Sequence, residues 1–379
     1  MANIIPQQYL DFLRKIYLLR RVTVTRLKED LGMDYRVIRN IFLSFAHRYK
    51  VRFWVDILQQ RLGLNLTLLI LKKARVYLLE KHGAIKELLN LKLPFVRSIS
   101  LTLDGGLQLI IQNPFGSKLV IEDNMKNFVR SIYSFNFVLR SKPHPNLLQS
   151  YLKGDYNYLL NNGIQTAFEN KYDIDEEYLL TPTKFDSLDL VILDIIEDKP
   201  YITLRALTKK VNEVLLKSFT VDRIERHVVK HVENLILGYR MAGASFAEFS
   251  NYGSTLITSC KNCIDFCSRA ISHPFIVSCV GNANSGVTGV SVLAPRAVHN
   301  DFVISLDKAL SSYGCEPVEE VINYFVVEPY YIFYGVPRPY PVEVRAGLDV
   351  ETEYDPRSRA WSPEIDVTRI IESLRKYLA

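Results

Sequence analysis

Two stretches far apart in the chain, MDYRVIRNIFLSF (residues 33–45) and TVDRIERHVVKHV (residues 220–232), share one layout of arginines and apolar positions. Further matches keep the same order: Arg36/Arg223, Arg39/Arg226, Val37/Ile224, Ile41/Val228, Gly63/Gly253 and Pro94/Pro274, with offsets of 187, 190 and 180. An internal duplication constrains the fold more than any other feature here. Each copy must fold as a unit and bury its apolar faces, partly against its twin.

In the first copy, residues 6–50 read as three helices. Tyr9, Leu10, Phe12, Leu13, Ile16 and Leu19 recur at helical spacing. Thr25 can cap a short second helix that closes at Gly32, and Asp34 can cap a third running towards Tyr49. Helix, short helix, Gly-containing turn and longer helix is the helix-turn-helix layout. KVRFWVDIL follows as a wing or exit strand.

Next come a strand (LNLTLLILKK), a helix over 74–91, and two strands meeting at Asp104-Gly105-Gly106, a hairpin signal. A helix over 124–133 and the strand FNFVLR complete a βαββαβ, ferredoxin-like order. The second copy repeats it with helices in FDSLDLVILDIIEDKPYITLRALTKKV, the helix of 220–232, ENLILGYRM, the strand YGSTLITS, a helix over 262–271, HPFIVSCVGNANSGVTGVSVLAP, a helix over 301–313 and the strand VINYFVV.

The fold class expected is therefore α+β: two copies of a (winged) helix-turn-helix followed by a βαββαβ ferredoxin-like (ACT/RAM-like) domain. The expected divisions are 1–55 and 56–142 for the first copy, a linker with some helix at 143–185, 186–245 and 246–336 for the second copy, and a tail at 337–379. In the tail, Val367, Ile370, Ile371, Leu374 and Leu378 form an amphipathic helix that docks on its own core or on a partner.

Charge is unevenly divided. Residues 1–150 hold 24 Lys/Arg against 10 Asp/Glu, a net of +14, and the remainder holds 23 against 31, a net of −8. Such a split hints at a polyanion partner for the basic part. A helix opened by Asp34 places Tyr35, Arg36, Arg39 and Asn40 in its first turns, where a recognition helix reaches base edges. Arg grips guanine and Asn grips adenine bidentately, and Arg48, Lys50 and Arg52 follow where backbone phosphates lie. Arg223 and Arg226 repeat the pair, but residues 186–245 hold nine basic and nine acidic residues, so weaker binding is expected there.

In the second copy, LDLVILDIIEDKPYITLRALTKKV, an R-x-x-R helix, Ile236-Leu237-Gly238-Tyr239 and Pro274-Phe275-Ile276 resemble the Lrp/AsnC family of prokaryotic, in particular archaeal, transcription regulators. LGLNLTLLILKK and Pro94-Phe95-Val96 fill the corresponding places in the first copy. The resemblance implies a non-enzymatic regulator that binds double-stranded DNA. Its two halves form a pseudo-dimer within one chain, with the first half as main reader and homo-oligomerisation admitted. LDGGLQL and GNANSGVTGV lack the family's Gly-x-x-Asp element, which speaks against a small-molecule effector.

Two other readings remain open. Siroheme decarboxylases resemble Lrp-type proteins in the same two-part architecture and include fused forms, and Tyr252-Gly253-Ser254-Thr255-Leu256 is similar to theirs. A non-catalytic protein could instead turn both helical modules towards proteins or RNA.

Cys260, Cys263 and Cys267 could hold a metal with His273, but their spacing suits a helical stripe of small apolar residues. His227 and His231 lie one turn apart without a neighbouring carboxylate-and-Cys set in the sequence. No metal, cofactor or catalytic residue is expected, since there is no phosphate loop or serine elbow. The longest apolar run, LGLNLTLLIL, is too short to span a bilayer, and the N-terminus lacks a secretory pattern, so a cytoplasmic, membrane-free protein is expected.

Overall fold

The computed structural model describes residues 5–49, 51–72, 95–102, 104–197, 199–243, 252–324, 354–355, 360–361 and 364–378. It is a mixed α+β protein. The first trihelical module consists of α1 (Gln7–Ile16), α2 (Val24–Leu31) and α3 (Tyr35–Arg48). Thr23 rather than Thr25 sits at the N-cap of α2, Gly32 closes it in the left-handed conformation, and the Asp34 carboxylate accepts from the Arg36 backbone N–H. The strand β1 (Val51–Ile57) leaves this module.

A first run of strands follows: β2 (Leu64–Leu71), β3 (Val96–Thr102), β4 (Leu107–Pro114), the short β5 (Lys118–Val120), the single turn α4 (Asp123–Lys126), β6 (Val129–Phe135) and β7 (Phe137–Arg140). The hairpin at Gly105-Gly106 is present. Gly105 adopts φ +83°, and the Gly106 N–H donates to Thr102 Oγ1 at 2.7 Å. The helix expected over 124–133 is not. After α4 the chain is already extended at Val129, because Ile132 and its neighbours alternate along a strand paired with β2. The helix expected over 74–91 lies outside the described residues.

Residues 143–185, expected as a linker with some helix, hold α5 (Pro145–Lys153), α6 (Tyr156–Tyr158), α7 (Ile164–Glu169) and α8 (Glu176–Leu180). Leu147, Leu148, Tyr151, Leu159 and Ala167 are buried in the main core, which holds residues of both halves. A second trihelical module follows, α9 (Ser187–Glu197), α10 (Leu204–Leu215) and α11 (Val221–Lys230), then β8 (Ile236–Gly243). The second strand run is β9 (Tyr252–Cys260), α12 (Cys263–Ala270), β10 (Ile276–Gly281), β11 (Val287–Val292), α13 (His299–Ser312) and β12 (Cys315–Tyr324). The tail adds the two-residue pair β13 (Tyr354–Asp355) and β14 (Ala360–Trp361), then β15 (Glu364–Asp366) and α14 (Val367–Leu374).

The nine-stranded sheet has the order β6-β2-β4-β3-β12-β9-β11-β10-β7. Within each half the strands stand fourth, first, third, second. The ends of this order, β6 and β7, are consecutive in the chain with only Asn136 between them, so the sheet folds back on itself. Leu66, Leu68, Ile70 and Phe135 then share one apolar cluster with Ile257, Val280 and Val321 of the second half.

The outer face of the first half is covered differently. Leu69, Leu71, Leu107, Leu109 and Ile111 pack against Ile370, Ile371, Leu374, Tyr377 and Leu378 of the tail. The strand β15 pairs in parallel with β5, and Thr368 Oγ1 accepts from the Glu122 N–H at 2.9 Å. The tail helix thus covers a face left without the helix expected over 124–133, while α13 buries Phe302, Leu306 and Leu310 in the second half. The stripe read from the sequence docks on the chain's own core.

The strands leaving the two modules pair with each other, β1 with β8, from Val51↔Gly243 to Ile57↔Ile236. The strand β1 is therefore half of a joint between modules rather than a free wing. Gly238 belongs to that joint. It adopts φ +138°, and a Cβ there would lie 2.3 Å from the Tyr17 carbonyl oxygen. Gly238→Ala is expected to cost more than the roughly 1–3 kcal/mol of the backbone conformation alone. Gly63→Ala, with φ +72° and open space around it, is expected to cost only the backbone part. Urea midpoints of the two variants measure the difference, and equal shifts would contradict this account of the joint.

Candidate metal centre

Alignment of the third helices by their caps changes the register of the duplication. Asp34 caps α3 and Thr220 caps α11, an offset of 186 (34 to 220). The buried positions agree on it: Ile38 with Ile224, Phe42 with Val228, Phe53 with Tyr239 and Val55 with Met241. The arginine match at 187 is one residue out, because it takes Val37 as a core position, whereas Val37 is exposed and Ile38 is buried. In the structural register Arg36 stands opposite Asp222 and Arg39 opposite Glu225.

Tyr35, Arg36, Arg39, Asn40 and Arg48 are all exposed on α3. The Arg36 Nε donates to the Tyr35 hydroxyl at 3.1 Å, and Arg48 stands over the Tyr49 ring. Lys50 lies outside the described residues, and Arg52 is on β1. Arg223 and Arg226 are exposed on α11, and Arg223 stands over the Phe219 ring at 4.8 Å.

Part of the basic charge of the first half is paired inside the chain. Arg21 bridges Asp30 and Glu233, each at 2.7 Å, and Arg26 reaches Glu233 at 3.4 Å. Arg130 pairs with Glu319 at 2.7 Å. Lys142, fully buried, bonds Asp56 and the Tyr239 carbonyl. Arg20 and Arg61 stack on Tyr178. Arg21, Arg26 and Arg130 thus meet carboxylates of the second half. Side chains held by carboxylates are not free to neutralise phosphates.

The cysteines do not form a metal set. Cys260 is bonded to Cys315 across paired strands, and Cys267 to Cys279, while Cys263 is a buried free thiol. Both His273 nitrogens are engaged, Nδ1 accepting from the Phe275 N–H and Nε2 meeting the Leu159 carbonyl. The expectation of small apolar cysteines is corrected for Cys260 and Cys267, which are bonded. Closing loops with separations of 55 and 12 residues, each bond is expected to contribute about 2–4 kcal/mol. The check is the thermal midpoint, which should fall on reduction by dithiothreitol and fall no further for the four-serine variant.

A polar cluster lies between α9 and α11. Asp189, in the first turn of α9, has a side chain that is 0% exposed. Its Oδ1 lies 3.0 Å from His227 Nδ1 and its Oδ2 2.9 Å from His231 Nδ1. The Asp186 N–H also donates to Oδ2 at 2.8 Å, while Asp186 Oδ1 accepts from the N–H groups of Leu188 and Asp189. One donor atom from each of Asp186, Asp189, His227 and His231 lies within 4.8 Å of the other three. Burial raises the Asp189 carboxyl above the usual range, against the lowering by its bond to His227 and the further raising by Asp186. His227 is 18% exposed and His231 38%, so the cluster has a buried floor and an open edge.

The sequence shows no neighbouring carboxylate-and-Cys set around the two histidines, whereas the structure brings two carboxylates beside them. Asp189 lies 38 residues from His227 and 42 from His231, and only the packing of two helices joins them. One signal was present in the sequence: Asp189 interrupts the apolar run LDLVIL at a core-facing position.

No family model matches the chain, and no curated protein matches it. Among solved structures, the chain is similar to the siroheme decarboxylase NirDL at 12% identity and a TM-score of 0.45, with 91% of this chain and 96% of that chain covered. The matched protein is an enzyme. The expectation of a non-enzymatic, DNA-reading transcription regulator is corrected on that match, and three contributors to the charge split, Arg21, Arg26 and Arg130, are paired within the chain. Among the described residues no helix is long and apolar enough to cross a membrane.

Proposed function

We propose that the chain is a tandem of two Lrp-like halves, each a helix-turn-helix module followed by a ferredoxin-like βαββαβ unit, divided near residues 55, 142, 185, 245 and 336. We further propose that its work is catalytic, of the siroheme decarboxylase type, with a carboxylated tetrapyrrole as substrate. The repeated fourth-first-third-second strand order and the β1–β8 joint support the duplicated architecture.

One observation carries the catalytic part. The Tyr252–Leu256 segment, similar in sequence to those decarboxylases, lies on β9 between β12 and β11. Its Ser254 hydroxyl is 2.8 Å from Nε2 of His299, at the start of α13. Burial lowers the pKa of that imidazole and keeps it neutral at physiological pH. A neutral imidazole can accept or relay a proton, and decarboxylation requires one to replace the departing CO2.

Anaerobic titration with siroheme, followed by visible absorbance and product mass, tests the reading. A saturable spectral change and a product lighter by CO2 are expected, with the mass change lost in His299→Ala. No spectral change at tens of micromolar tetrapyrrole would end it.

A further inference from the structure

We propose that Asp189, His227 and His231 form a binding site for a divalent transition-metal ion, with Asp186 at its edge. The inference is independent of the catalytic reading above.

The donor chemistry suits such an ion. Two imidazoles with one or two carboxylates is a nitrogen–oxygen set typical of zinc, nickel, cobalt or iron. His227 on α11 and His231 at its C-cap are four residues apart, one turn, with ring centroids 5.2 Å apart. The Asp189 carboxylate faces both Nδ1 atoms from the neighbouring helix. It can bind the ion directly, or hold the Nδ1–H groups so that Nε2 of each ring binds it, as carboxylates behind metal-bound histidines commonly do. The open edge at His231 gives an ion a route in.

The duplication supplies an internal control. The first helices align at an offset of 180, since Leu10 N–H donates to Pro6 O and Leu190 N–H to Asp186 O. Leu10, Phe12, Leu13 and Ile16 then match Leu190, Ile192, Leu193 and Ile196, all buried. In this register Asp189 corresponds to Tyr9, and in the register of the third helices His227 corresponds to Ile41 and His231 to Phe45. In the first module Ile41 and Phe45 are core residues, and the Tyr9 and Phe45 rings pack 5.7 Å apart. The same helices in the same arrangement are thus held together by apolar contact in one copy. In the other copy all three positions carry groups that bind metals, one of them a carboxylate with a fully buried side chain. Burying a carboxylate is costly unless it gains a compensating charge. Asp189 is already hydrogen-bonded to both rings and to the Asp186 N–H, but the fold does not require this trio, and a cation shared by the three groups would supply the compensating charge.

The test uses the full chain, stripped by chelator and titrated with Co2+, whose visible bands report imidazole ligation, and with Zn2+ by calorimetry. One equivalent is expected to bind with micromolar or tighter affinity and to raise the thermal midpoint by mass action. His227→Ala and His231→Ala should each weaken binding by about 100-fold or more, an expectation scaled from the effects of lesser, indirect partners.

Because single variants can leave the Asp189 carboxylate stranded, a second variant copies the first module: Asp189→Tyr with His227→Ile and His231→Phe. It should fold and bind no Co2+ at this site. Imidazole resonances of His227 and His231 in the unmodified chain give a readout without any substitution, and both should shift on Zn2+ addition. Unmoved resonances, binding no tighter than millimolar, or binding untouched by the substitutions would each overturn the proposal.

Discussion

Leu374→Ala is expected to destabilise the protein by about 2–5 kcal/mol, the range for a buried leucine cut to alanine. The side chain is fully buried against Leu69, Leu109 and Ile111, from an element more than 230 residues away in sequence. Ending the chain at residue 353 should do far more. Ile365, Val367, Ile370, Ile371, Leu374, Tyr377 and Leu378 are all buried. At roughly 1.5–3 kcal/mol per side chain they contribute on the order of 10–20 kcal/mol, which exceeds the whole margin of an ordinary domain.

The first half of the sheet should then lose protection in hydrogen exchange or limited proteolysis. A peptide of residues 354–379 added in trans should restore it, because the tail docks as a strand and helix of its own. A truncated chain with native protection of β2 and β4 would refute this account of the tail.

The second large effect is acid destabilisation through His273. The ring is buried, stacked on Phe302 with centroids 4.5 Å apart, and burial lowers its pKa from 6.5 to about 3. In the unfolded chain the group takes a proton as the pH falls through 6.5, whereas the folded protein takes none until about 3. Unfolding therefore binds a proton across that window, and stability is lost as pH falls, by up to about 1.4 kcal/mol per pH unit for this one group. His144 and His299, also lowered by burial, act in the same direction.

Denaturant midpoints between pH 7 and 4 measure the slope. His273→Leu should start lower, since the Phe275 N–H and the Leu159 carbonyl lose their partner, but its stability should fall less steeply with acid. A slope unchanged in that variant would remove His273 as a cause.

Much of this fold was legible in the sequence. Helical spacing in Leu10, Leu13 and Ile16, the Asp34 cap, the Gly105-Gly106 hairpin and the apolar stripe of the tail are local patterns, and each appears where it was expected. The errors have local causes too. Residues 129–135 carry apolar groups at spacings that suit either a helix or a strand, and pairing with β2 decided for the strand. The arginine match at 187 was a coincidence of side-chain type. The caps and the buried positions, which the backbone geometry enforces, align at 186.

The sequence by itself determined that the chain is of mixed α+β class, with helices and short strands whose local patterns recur in two stretches. Periodicity, caps and turn residues act within a few residues and need no distant partner. Tertiary structure alone decided that Arg21, Arg26 and Arg130 meet carboxylates of the second half, which core the tail completes, and that Asp189 meets His227 and His231. Those outcomes depend on contacts between segments tens to hundreds of residues apart, whose energy depends on burial and distance rather than on sequence spacing.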